Sequence, residues 1–312
     1  MFCQSNGKTS HSNHTNNPNR EQSEPHEQSE PHEQSEPQDT VLDIDAAPGD
    51  CLYRIRRNNC ASSRIVYVHV LSTDFIPQDD RTYGPAVVRQ LSKLAEWQLE
   101  WKTLTIIANN DPDSAASEAT LRISMDDFEP HFVSPEYVYD CYPLFDITDF
   151  PRQHHIKTRL WRCPAQSEDA QVYLKLARFK FEIKALEREV KAYHKLRGSA
   201  LAPALVGYVY EETHDRVVGF VTEEVIGHCP RDAADYAACS VALHKLHESG
   251  LVHGDLNKYN VIITKDGPRF IDFEQSRLRN EVTNWNQLAQ DEVHTLSASL
   301  SDQSGLGAPW QQ

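Results

Sequence analysis

The stretch HGDLNKYN, His253 to Asn260, is followed by IDFE, Ile271 to Glu274. It offers Asp255, then Asn260, then Asp272 beyond a short predicted hairpin. Magnesium-dependent phosphoryl transfer asks for such a set, because the protein supplies charge neutralisation and in-line positioning rather than covalent chemistry. The competing explanation is that acidic and amide residues are common in loops because their side chains cap turns. The elements around these residues have to decide.

Those elements read as follows. PLFDITD, IKTRLWRC and QVYLKLA are three successive strand patterns, joined by the polar FPRQHH and PAQSEDA. FEIKALEREVKAYHKLRG carries Ile183, Leu186, Val190, Tyr193 and Leu196 at helical spacing, with Gly198 placed to stop it. LVGYVYE and VVGFVTEEV predict a hairpin around ETHDR. Pro230 and Asp232 open a helix, DAADYAACSVALHKLHESG, which Gly250 ends. After HGDLNKYN come a strand VIIT, a turn KDG and a strand RFIDF, and NQLAQDEVHTLSASL predicts a last helix under the catalytic loop, closed by Asp302–Gly305. Further upstream, CLYRIRR, RIVYVHV, TLTIIAN and ATLRISM read as strands, and PAVVRQLSKLAEW as a helix on Val87, Leu91, Leu94 and Trp97. That upstream segment holds no constellation that points to chemistry; the Asp residues of NNDPD are explained by turn formation.

From about Tyr137 to Phe273 this order resembles the protein-kinase-like superfamily. VYLK resembles the motif of the third-strand lysine, with Lys175, and ALEREVKAYHKL the helix that carries its partner, with Glu189. TEEV falls where the hinge between lobes would be, HGDLNKYN resembles the catalytic loop and IDFE the metal-binding DFG segment. HGD in place of HRD is closer to aminoglycoside phosphotransferases and to Rio-type kinases, and the whole arrangement most resembles a group of small fungal kinase-like proteins. The resemblance implies an α+β, bilobal protein-kinase-like fold with a minimal C-lobe. It would span residues 137–312, with an N-lobe of about 137–225 and a C-lobe of about 226–312. It would be preceded by a disordered tail (1–40) and a small α+β segment (41–136).

The roles fit the physical chemistry. Asp255 is the candidate base that orients an acceptor hydroxyl. Asn260 and Asp272 offer the hard oxygen ligands that magnesium prefers. Lys175 would hold phosphate oxygens and Glu189 would hold Lys175. By resemblance, the backbone at Glu223 and Val225 would meet adenine, with Thr222 lining the back of that pocket. The implied cofactors are ATP and Mg²⁺. Taken singly, a strand ending in Lys or a Glu on a charged helix is commonplace, and His253 reads as a packed structural residue; the ordered set carries the signal.

The departures matter as much. No glycine occurs between Gly84 and Gly198, so the phosphate-covering loop, placed by these strand patterns at FPRQHH, cannot easily bring backbone N–H groups to phosphate. Arg152, His154, His155 or Lys157 would have to supply side-chain donors, or the loop has lost its nucleotide role. Glu274 stands where glycine is usual and restricts the backbone of the metal segment. The HRD arginine is absent, so a phosphate on an activation loop would lack its usual partner. About 40 residues follow Phe273, without an APE motif or room for a full peptide-docking platform.

Composition bounds the rest. The net charge is −15 and there is no dense Lys/Arg run, which argues against nucleic acid as a partner. EQSEPH occurs twice and EQSEPQ once between Glu21 and Gln38, with almost no apolar residue nearby, a composition that cannot offset its ordering entropy. Seven Cys, an odd number without a C-x-x-C pair, and no signal-peptide pattern predict free thiols and a cytoplasmic location, with the nucleus open. No apolar run approaches the roughly 20 residues that span a bilayer. Two readings stand: an ATP- and Mg-dependent phosphotransferase acting on an unidentified small molecule or one dedicated protein, and a nucleotide-binding pseudokinase that serves as an interaction module. A different transfer from ATP, such as nucleotidylation, is a third.

Overall fold

In the computed structural model the described residues are 39–58, 63–109, 120–151, 154–165, 170–305 and 307–308. The 1–38 part of the expected tail, the NNDPD stretch from position 110 on and Arg152 lie outside them.

The chain first builds a five-stranded sheet in spatial order β1 (Thr40–Ala46), β2 (Cys51–Arg57), β3 (Arg64–Val70), β4 (Thr103–Asn109) and β5 (Thr120–Met125). Neighbours are antiparallel except β3 and β4, which run parallel across a connection that contains α1 (Gly84–Leu91). Tyr53, Ile55, Val66, Val68, Leu104 and Ile106 pack from the sheet against Val87, Leu91, Trp97 and Trp101. Two expectations change here. The helix stops at Leu91, and Trp97 sits in a separate turn of 3₁₀ helix, Ala95–Gln98. Strand β1 has no counterpart in the sequence reading, because its inward Asp43 breaks the apolar alternation; that carboxylate is buried against Arg54 at 2.7 Å.

A second, six-stranded sheet follows. Its order is β6 (Leu144–Asp146), β10 (Leu205–Glu211), β11 (Thr213–Glu223), β9 (Gln171–Leu176), β8 (Leu160–Pro164) and β7 (His154–Lys157). Here IKTRLWRC divides. It is two strands, β7 and β8, folded back through Thr158 and Arg159, with Lys157 opposite Leu160. The turn between β7 and β8 is therefore Thr158–Arg159 and not FPRQHH, whose His154 and His155 already belong to β7. The reason is local: Ile156 and Leu160 share one apolar–polar alternation, and nothing in the run except the polar pair Thr158 and Arg159 marks a reversal.

Helix α2 (Ile183–Lys195) lies across this sheet and buries Leu186, Val190 and Tyr193. After the hairpin β10–β11 come α3 (Ala233–Glu248), β12 (Leu251–Val252), β13 (Val261–Thr264), β14 (Gly267–Phe270), β15 (Arg277–Leu278) and α4 (Trp285–Ser301). Asp232 caps α3 by accepting from the N–H groups of Ala234 and Asp235. Gly250, at φ 83°, lets the chain leave it. β13 and β14 form one hairpin, and β12 pairs β15. A core of Leu186, Val190, Tyr193, Phe220, Leu243, Leu246, Phe270 and Phe273 joins α2, the sheet and the helices after it.

The two sheets meet through buried charge. Glu211, at the end of β10, accepts from Arg54 of β2, from Tyr67 Oη of β3 at 2.9 Å and from Arg216 at 2.8 Å. Arg216 also donates to Tyr67 Oη at 2.6 Å. His131 Nε2 donates to the Ala177 carbonyl at 2.7 Å, and Arg178 reaches the Ile44 carbonyl at 3.4 Å.

Candidate functional site

The site forms where β9, α2, the loop after β12 and the segment after β14 converge. Lys175 Nζ lies 2.6 Å from Glu189 Oε2, 2.7 Å from Asp272 Oδ1 and 2.5 Å from Glu274 Oε1. Lys175 points inward because β9 alternates under α2, and Glu189 meets it from the buried face of that helix at 1% exposure. Burial opposes the ammonium charge, yet the carboxylates of Glu189, Asp272 and Glu274 together push the Lys175 pKa up. Burial pushes Glu189 up to about 7 against the pull of Lys175. Burial also works against an ionised Asp272, but the charge and hydrogen bond of Lys175, with Lys157, hold it down at about 2. Asp272 stands at φ 66°, a left-handed backbone that non-glycine residues adopt at a cost, often at functional positions. The positive φ thus falls on Asp272 and not on Glu274, which takes its place without the restriction expected of it.

The catalytic-loop segment is tied on every side. His253 is fully buried, donates from Nε2 to the Ile271 carbonyl at 3.0 Å and accepts at Nδ1 from the Asp255 N–H at 3.3 Å. Those bonds assign the neutral ring, and burial lowers its pKa. It is a structural brace. Gly254 sits at φ 84°, and a Cβ there would run into the Gln275 carbonyl, so no side chain can replace the missing arginine of HRD without moving the backbone. Asn260 donates through Nδ2 to the Asp255 carbonyl at 2.9 Å and to Asp255 Oδ2 at 3.3 Å. Its Oδ1 is buried and has no hydrogen-bond partner among the described residues. Such an atom costs about 1–3 kcal/mol unless something meets it. Asp255 itself is exposed.

Thr222 is buried at the end of β11, facing Tyr173 of β9. Glu223 follows it; its N–H is taken by the Ala204 carbonyl and its side chain by Arg269 at 2.6 Å. Val225 lies just beyond the strand ladder. Of the donors expected to cover phosphate, Lys157 is brought in, 3.6 Å from Asp272 Oδ2. His154 is exposed at the far end of β7, opposite Arg162, and His155 stacks on Trp161. Arg152 lies outside the described residues.

Several residues here escaped the sequence reading. Arg159, from the turn, pairs with Glu274 and lies 3.8 Å from Glu182. Arg188 of α2 donates to the Glu274 carbonyl at 2.5 Å. Glu292 of α4 accepts from the Gly254 N–H at 2.5 Å and from His247 of α3 at 2.7 Å. Arg159 becomes visible once the turn is placed correctly, whereas Glu292 stands beside Asp291 on a largely exposed helix and carries no signal.

A five-strand antiparallel run in the order β7-β8-β9-β11-β10, a lysine–glutamate pair joining it to one helix, and an HGD loop facing an IDF segment define a protein-kinase-like protein related to the Rio-type kinases. Residues 218–301 match the RIO domain family. The chain is similar to RIO-type serine/threonine-protein kinase Rio1 of Methanocaldococcus jannaschii, 56% identical over 36 residues, which are 11% of this chain and 12% of that protein. It is also similar to serine/threonine-protein kinase AfsK of Streptomyces coelicolor, 45% identical over 56 residues, 16% of this chain and 7% of that protein. The chain thus spans only a small fraction of the curated relatives it matches.

Proposed function

We propose that the chain is an ATP- and Mg²⁺-dependent phosphotransferase acting on a hydroxyl group. The observation that carries this reading is the buried Asn260 Oδ1, without a hydrogen-bond partner among the described residues, on a residue that braces the exposed Asp255 and whose carbonyl takes the N–H of Ile271, next in chain to the ionised Asp272. Two hard oxygens, one charged and one left unsatisfied, suit a small divalent cation. Bound there, Mg²⁺ would supply charge neutralisation at phosphate oxygens. The chain's own part is positioning: Lys175, fixed by Glu189, holds a phosphate oxygen; Asp255, braced by Asn260, orients the acceptor hydroxyl and takes its proton. Thr222, Glu223 and Val225 form the wall and edge that adenine would meet, Glu223 through its carbonyl since its N–H is occupied.

The acceptor in this reading is a small molecule or one dedicated protein. Nucleic acid is a poor partner for a chain of net charge −15. Among the described residues no helix is long and apolar enough to cross a membrane. The free-thiol reading of the seven Cys supports a cytoplasmic location, with the nucleus open. In domain terms, we take the packing module as running to residue 136 and the kinase-like domain as 137–312; the module begins at least at Thr40, the first residue of β1, and not at 41.

One observation favours the alternative, a nucleotide-binding pseudokinase. The turn Thr158–Arg159 is short and without glycine, and its arginine is already paired to Glu274. Incubation with γ-labelled ATP and Mg²⁺, with and without cell extract, separates the two. Transfer of label that Asp255→Asn abolishes supports the phosphotransferase; ATP binding with no transfer by either protein supports the pseudokinase.

A further inference from the structure

Among the described residues, Lys157, Arg159 and Lys175 at the mouth of the site are each already matched. Lys175 and Arg159 converge on the same oxygen, Glu274 Oε1. Lys157 and Lys175 share Asp272, and Arg159 also faces Glu182. Glu274 is held in turn through its carbonyl by Arg188. The turn therefore offers cationic side chains held by carboxylates, in place of an open cradle of N–H groups for phosphate.

We infer that the Glu274 carboxylate is an internal surrogate for a nucleotide phosphate, and that it sets how strongly nucleotide binding depends on a divalent cation. The inference rests on the nucleotide reading above. A carboxylate oxygen bound by one ammonium and one guanidinium presents the contacts that a phosphate oxygen would take. For a free polyphosphate to gain Lys175 and Arg159, it must displace Glu274 and leave that charge beside its own, in a site of reduced dielectric where like charges repel strongly. A nucleotide that arrives with a divalent cation avoids this, because Asp272 and the displaced Glu274 then face positive charge. Glu274 thereby discriminates against free nucleotide, and it gathers Lys175 and Arg159, the side-chain donors left to meet phosphate where the turn offers no glycine N–H groups.

Calorimetric titration of the full chain tests this, with ATP in excess EDTA and with ATP in Mg²⁺, on wild type and on Glu274→Gln. Glutamine keeps the size and the acceptor oxygen and removes the charge. The wild type should bind metal-free ATP at least about tenfold more weakly than Mg-ATP, a difference of about 1.4 kcal/mol. In Glu274→Gln, metal-free ATP should bind about tenfold or more tighter than in wild type, closing most of that gap. Inorganic tripolyphosphate should gain likewise, since the effect lies at the phosphates. Glu274→Asp, which keeps the charge but withdraws it, should fall between. If wild type binds Mg-ATP but Glu274→Gln binds metal-free ATP no tighter, the surrogate role is overturned and the nucleotide reading stands. If no protein binds any nucleotide, both fall. If only Glu274→Gln binds, the surrogate role holds and blocks the native site. A thermal melt of each variant establishes that it is folded.

Discussion

Asp255 and Asp272 carry the same functional group but stand in different surroundings. Asp255 is exposed and held by the Asn260 amide. Asp272 is hydrogen-bonded to Lys175 and kept ionised. Asp255→Asn should therefore lower the rate of transfer by about 10²–10⁴-fold, the range for a positioned base, and leave ATP affinity within about twofold. Asp272→Asn should weaken both turnover and the Mg²⁺-dependent part of nucleotide affinity. Rates and titrations on the two variants check this directly, and an Asp255→Asn protein with full activity would remove Asp255 from the mechanism. Gly254 gives a third residue-scale expectation. Its φ of 84° and the Gln275 carbonyl leave no space for a Cβ, so Gly254→Ala should cost about 1–3 kcal/mol, seen as a lower denaturant midpoint.

At the level of elements, α4 is more than packing beneath the loop. Glu292 joins α3, α4 and the Gly254 N–H through two hydrogen bonds. Glu292→Ala leaves that N–H and His247 without their partner, and should cost about 1–3 kcal/mol. It should also reduce kcat more than it changes KM for ATP, because the loop that carries Asp255 loosens while the nucleotide's own contacts remain. Glu292→Gln, which keeps an acceptor for Gly254, should recover most of kcat; equal losses in both variants would mean that the charge, and not the tether, matters.

The long elements were legible in the sequence for simple reasons. α2 and α3 show a cap or an apolar stripe and a closing glycine, and HGDLNKYN with IDFE needs no tertiary information. The failures are equally physical. The β7–β8 reversal at Thr158–Arg159 carries neither glycine nor proline, so alternation runs through it unbroken. β1 is hidden because its buried position is an aspartate whose partner, Arg54, becomes apparent only when the strands pair. Lys157 could be named in advance but Arg159 could not, since its place depends on that turn. Glu292 acts across 38 residues of sequence on a backbone N–H, a contact no local pattern encodes.

For the whole molecule, the seam between the sheets sets stability. Arg54 is 3% exposed and stands between Asp43 and Glu211. Arg54→Ala would leave both carboxylates buried without it, and should destabilise by about 3–5 kcal/mol, measured by denaturant unfolding. His131, at the same seam, has its pKa pushed by burial down to about 4. The folded chain keeps this ring neutral while the unfolded chain takes up a proton below its ordinary pKa of about 6.5. Stability from this group is thus complete above about pH 6.5 and declines as pH falls toward 4. A melting curve series should show that decline, and His131→Gln should flatten it.

The seam also has a consequence for the order in which the chain is made. Glu211 follows Arg54 by 157 residues. At roughly 5–20 residues per second, Arg54 is made about 8–30 s before its second carboxylate exists. During that interval Arg54 has only Asp43, and Tyr67 Oη faces no acceptor from β10. The first sheet must therefore wait, partly finished, for a hairpin encoded far downstream, and a nascent chain halted before Glu211 is the form of this protein most exposed to chaperones and proteases.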